Sequence, residues 1–82
     1  MNKEWIALHL AEAQEELERT LREIQRPDYN EFDFQVAMAH AYNHLNTAWN
    51  SRNRSPERVA KQTDEEFYRW RAFPTDIDMG PV

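Results

Sequence analysis

Two histidines four residues apart, His40 and His44, and an aspartate seven residues before the first, Asp33, carry the plainest chemical potential in this chain. At i,i+4 on a helix two imidazoles can reach one ion, and a carboxylate one heptad away lies on the same side. The three are therefore candidate ligands for zinc or another divalent transition metal. Ala41, Tyr42 and Asn43 lie between the histidines, without the glutamate of an H-E-x-x-H metallopeptidase helix. The acids on the first helix are expected behind the core, so a complete site would need a second subunit. Without such a site no cofactor is expected.

The same segment carries Asn43, Asn46 and Asn50 at spacings of three and four. Asparagine is a mediocre helix former because its side chain competes for backbone hydrogen bonds. Three on one stripe either face water as solvated amides or make contacts with a partner chain or with the C-terminal segment. Phe32, Val36 and Ala39 share that side, and Trp5 and Leu8 lie off the main stripe of the N-terminal segment. Trp5, Asn43, Asn46 and Asn50 are thus candidate partner-binding residues. Ile77 and Met79, interleaved with Asp76 and Asp78, form an acidic-hydrophobic strip that adds a second candidate contact.

Catalysis finds little support in the pattern. There is no nucleophile elbow, phosphate loop or kinase signature, and a chain with one glycine has little means to cradle a phosphate. Glu15-Glu16-Leu17-Glu18-Arg19 places an arginine where an E-E-x-x-E metal-binding helix needs its last glutamate.

The elements that must position these residues are helical. Few β-branched residues and many Ala, Leu, Glu, Gln and Arg favour helix over strand. Ile6, Leu10, Ala13, Leu17, Leu21 and Ile24 keep to one side of a helix over about residues 3–25. Glu15/Arg19 and Glu18/Arg22 stand in the favourable i,i+4 order on its polar face. Pro27 stops the helix, and Asp28 or Asn30 can cap a second over about 31–51. That helix is expected to bury Phe34, Met38, Ala41, Tyr42, Leu45, Ala48 and Trp49, with His40 and His44 facing away and His9 of the first helix near residue 47. Ser55-Pro56 opens a short helix over 56–62, and Thr63-Asp64-Glu65-Glu66 is a capping box for another over 64–73. Phe67, Tyr68, Trp70 and Phe73 are too much apolar area to leave in water, so Phe67 and Trp70 should dock on the hairpin.

The expected fold is all-α: a long antiparallel helical hairpin completed by one or two short C-terminal helices, one domain over 1–73, with a flexible acidic tail over 74–82. A chain of 82 residues buries only ~60–65% of its unfolded surface, so the core is thin. It has no cysteine to staple it. That composition, the early acidic residues in MNKEWIALHLAEAQEE and the absence of a long apolar run suit a soluble cytoplasmic domain with no membrane contact.

The net charge is −5. Residues 1–50 hold four basic against nine acidic side chains, 51–73 hold six against four, and the tail adds two acids. An acidic chain is a poor nucleic-acid ligand, since that affinity comes from neutralising phosphates. The basic stretch Ser51–Lys61, with Arg52 and Arg54, is the one place such contact could occur. These features favour a non-enzymatic protein-interaction or regulatory module with an unidentified protein partner or a second copy of itself. A metal-binding helical protein and a nucleic-acid accessory factor are the alternatives.

Overall fold

The computed structural model describes residues 1–81 and is all-helical over them: α1 (Lys3–Glu23), α2 (Glu31–Asn50), α3 (Pro56–Ala60) and α4 (Asp64–Trp70). Helices α1 and α2 pack on each other as the antiparallel hairpin, and α4 packs on α2. Each helix starts on a side-chain cap that satisfies amide donors left open by the first turn. Asn2 accepts from the Trp5 amide, and Ser55, ahead of Pro56, accepts from that of Arg58. Thr63 and Glu66 form the expected capping box. Of the two caps open to α2 the chain uses Asn30, in a reciprocal box with Asp33, rather than Asp28. All four helices end one to three residues earlier than the periodicity suggests, where the apolar period runs on into turns.

The seam between α1 and α2 is made of small side chains. Ala13 and Thr20 on α1 and Ala37, Ala41 and Ala48 on α2 are buried. Small residues let the two backbones come close, and the larger apolar side chains are displaced to the flank. Phe34, Tyr42 and Leu45, expected in the core, are each more than two-fifths exposed, and Leu21 is 72% exposed. The physical reason is angular. From Met38, the large residues of α2 lie within about 40° of zero, whereas Ala37, Ala41 and Ala48 lie about 60–100° to one side. The helix turns its alanines, not its largest side chains, toward α1.

Trp70 is 2% exposed and is the largest side chain of the core, as the aromatic content of the C-terminal segment required. Phe67 is 44% exposed, beneath the Arg71 guanidinium. Helix α3 buries nothing and acts as a connector. Residues 74–81 have no helix or strand. Asp76 ties their start to α2 by accepting a 2.9 Å hydrogen bond from Trp49 Nε1, and Gly80 turns the chain with a positive φ of 55°.

Candidate functional site

The hairpin has two unlike sides. On one, Trp5, His9 and Glu16 of α1 meet Ser51, His44 and His40 from α2 and its C-cap. Trp5 Nε1 donates to Ser51 Oγ at 2.7 Å, and Ser51, fully buried, donates on to the Thr47 carbonyl. His9 and His44 face each other with 3.0 Å between their Nδ1 atoms. His9 therefore sits one turn nearer the interhelical link than expected. His44 faces α1 rather than solvent, while His40 stays exposed.

One Nδ1 of the histidine pair must donate and the other accept, so the pair cannot hold both rings fully protonated in this contact. His9 Nε2 is buried without a partner. A neutral His9 that donates from Nδ1 leaves only a lone pair at that buried nitrogen, whereas an imidazolium would leave an unpaired N–H there. Burial pushes the His9 pKa below 6.5 and the neighbouring His44 adds to that, with Glu12 pulling the other way. The Trp5 ring meets the His9 ring edge-on, 4.3 Å between centroids. A cavity of about 250 Å³ opens beside the pair, lined by Trp5, His9, His44 and Thr47 with Phe67 and Arg71 of the C-terminal segment. It is smaller than the ~300–1,000 Å³ of ordinary small-molecule sites.

The three residues read from the sequence as metal ligands are drawn into separate contacts. His40 Nδ1 lies 3.7 Å from Glu16 Oε2, His44 pairs with His9, and Asp33 caps its own helix. Among the described residues no group of three or more His, Cys, Asp or Glu side chains is placed to hold an ion. His9 is the chemically relevant residue that helical spacing alone could not find, because its partner stands 35 positions away.

Two of the three asparagines are engaged within the chain. Asn46 donates to the Arg71 carbonyl at 2.9 Å, and Asn50 donates to those of Trp70 at 2.8 Å and Ala72 at 2.7 Å. They satisfy carbonyls that the end of α4 leaves open. Of the two contacts open to them, partner chain or C-terminal segment, the second is the one made. Trp5 is half-buried in its bond to Ser51, and Asn43 lines the cavity. Ile77 and Met79 are exposed.

The basic segment is also engaged locally. Arg58 pairs with the buried Glu66, Lys61 with Glu57 and Arg69 with Glu65. Arg52 lies over the Trp49 ring at 3.9 Å and 3.6 Å from Asp76. The carboxyl of Glu66 is held below its ordinary range chiefly by the Thr63 amide, then by the Thr63 hydroxyl and Arg58, against a rise from burial. The Asp76 carboxyl is likewise lowered, first by Trp49 Nε1 and further by Arg52.

The other side of the hairpin is apolar and open. Leu10, Leu17 and Leu21 of α1 lie about 40–80° from Ala13, all in one sense. Phe34, Met38, Tyr42, Leu45 and Trp49 of α2 flank them. Of these, Leu10, Leu17, Leu21, Phe34, Tyr42 and Leu45 are each more than 40% exposed. Phe73 extends the face by packing on Tyr42, 5.1 Å between ring centroids.

Fold and surface together define a small antiparallel helical hairpin, clasped at one end by its own C-terminal helix. No protein-family model matches the chain, and no curated protein or solved structure matches it either. Among the described residues no helix is long and apolar enough to cross a membrane.

Proposed function

We propose that this chain is a non-enzymatic helical interaction module of the cytoplasm whose docking surface is the apolar side of the hairpin. One observation carries the reading. Alanines close the α1–α2 seam, while the large apolar side chains stand beside it in solvent. A row of Leu, Phe and Tyr along two parallel helix flanks is the form in which helical modules offer anchors to a partner. Ile77 and Met79, exposed on a tail anchored through Asp76 to Trp49, add a second candidate contact. The cysteine-free composition supports the cytoplasmic placement.

The reading is tested by replacing Leu17 and Leu21 together with serine. The isolated variant should keep its helicity and lose the protein that copurifies stoichiometrically with the wild type. Unchanged recovery of that protein would discard the apolar side as the docking surface.

The metal reading retains one specific support, the His9–His44 Nδ1 pair at 3.0 Å. Two imidazoles could share a transition-metal ion in place of their proton, with further ligands from water or a second chain. Zinc titration of untagged protein should then move the ring signals of His9 and His44 and leave Asp33 untouched. Nucleic-acid contact has weaker support, because most of the arginines that could make it already face carboxylates or rings.

A further inference from the structure

The apolar side of the hairpin, taken as the docking surface, also carries information about what covers it. A compact monomer of 9.9 kDa exposes about 5,200 Å². This chain exposes 6429 Å², a surplus on the order of 1,200 Å². Its radius of gyration, 14.5 Å, exceeds the ~12 Å of a compact chain of this length. The tail contributes to the surplus, but the half-exposed leucines and aromatics of the hairpin contribute the part that water disfavours. With the tails' share taken off, two such chains have less than about 2,400 Å² to hide, of the order of a standard-size interface.

We infer that a second copy of this chain covers the face, so that two hairpins form an antiparallel four-helix bundle; this rests on the apolar side being the docking surface. A twofold interface must be complementary to itself, and the charges at its two ends are. Lys3 lies at one end of the apolar side and Glu31 at the other, both exposed and neither in an ion pair among the described residues. A twofold axis across the hairpin brings Lys3 of each copy to Glu31 of the other. Between those ends the rim carries the neutral amides Gln14 and Gln35, with Glu18 about 40° beyond Gln14 at its outer edge, while Glu12 and Glu15 point to other sides of α1. The acidic chain thus keeps its repulsive charge off the surface that must meet a copy of itself. With that axis α1 lies antiparallel on the partner's α1 and α2 on its α2, so Leu10, Leu17 and Leu21 pack against their own counterparts and Phe34, Met38, Tyr42 and Leu45 against theirs.

The experiment pairs sedimentation equilibrium of the full chain with photo-crosslinking in cells. The expected mass at tens of micromolar is twice the 9.9 kDa of the chain. Leu21→Glu should weaken self-association by about 30-fold or more while retaining helicity, because Leu21 is exposed in the single chain. Leu8→Glu, on the far side of α1, should leave the dimer intact. A benzophenone amino acid at position 21 should give an adduct of two copies. A wild type that remains monomeric at hundreds of micromolar overturns the dimer. An adduct with a different protein, from a monomeric chain, overturns it while sparing the docking surface. No adduct at position 21 together with a monomeric chain removes both.

Discussion

The two sides of the hairpin solve the same problem differently. On the histidine side three polar contacts join α1 to α2 and its C-cap: Trp5 to Ser51, His9 to His44, and His40 beside Glu16. The neighbouring outer surface of α2 receives α4 through Asn46 and Asn50. On the leucine side no polar contact among the described residues joins the flanks, and large apolar groups stand partly in water. The contrast teaches that the hairpin's own stability comes from its alanine seam, its polar side and its clasp. Leu21, 72% exposed, contributes little to the isolated chain, whereas the half-buried leucines and aromatics contribute only part of their area.

The sharpest way to break that contrast is at the clasp. Trp70→Ala should cost ~3–5 kcal/mol, measured by urea or thermal unfolding followed at the remaining tryptophans, because Trp70 is the one large side chain enclosed among the described residues. Ala41→Leu attacks the seam instead. It forces the helices apart where Ala41 is buried and should cost about 1–3 kcal/mol. Asn46→Ala leaves the Arg71 carbonyl without its donor and should cost about 1–2 kcal/mol, with a matching rise in amide exchange over α4. If these three substitutions prove no worse than Leu21→Ser in the monomer, the division between a stabilising side and an open side is wrong. Leu21→Ser should change monomer stability by less than about 0.5 kcal/mol.

The histidine side offers a further test by pH. The His9 pKa is lowered on folding by burial and by His44, so between that lowered value and 6.5 the unfolded chain binds more protons than the folded one. Stability on this account is complete above 6.5 and declines as the pH falls through the window. His9→Gln should flatten the midpoint-versus-pH curve there. The lowered carboxyls of Glu66 and Asp76 act in a separate, more acidic range. Their contribution is present above the ordinary carboxylate value and is lost as pH falls through the folded one. A curve that is flat from neutrality down to the carboxylate range would remove His9 as a group whose protonation opposes folding.

How far the sequence could be read differed between local and long-range features. The Ser55-Pro56 start and the Thr63–Glu66 box stand where the motifs place them, because a cap is made by residues three apart and needs no neighbour. The choice of Asn30 over Asp28 was open because both satisfy the local rule. The i,i+4 pairs read on α1 are replaced by Arg19 to Glu16, since long surface side chains choose among several acids within reach. Of the site, the engagement of Asn46 and Asn50 was legible only as one possibility among three, beside solvation and a partner chain. The His9–His44 pair was not, because it depends on the register of two helices to within one turn.

What the sequence by itself determined is therefore the helices, their caps, the all-α class and the need for Trp70 to find cover. These follow from backbone propensity, from contacts three or four residues apart and from the cost of leaving an indole in water. Only the tertiary structure decided which face of each helix meets the other. A hydrophobic stripe gives the direction in which a helix is apolar, not the direction in which its neighbour stands. Here the alanines let α1 and α2 approach on one edge of that stripe, so Leu17, Leu21, Phe34 and Tyr42 were left beside the contact rather than within it.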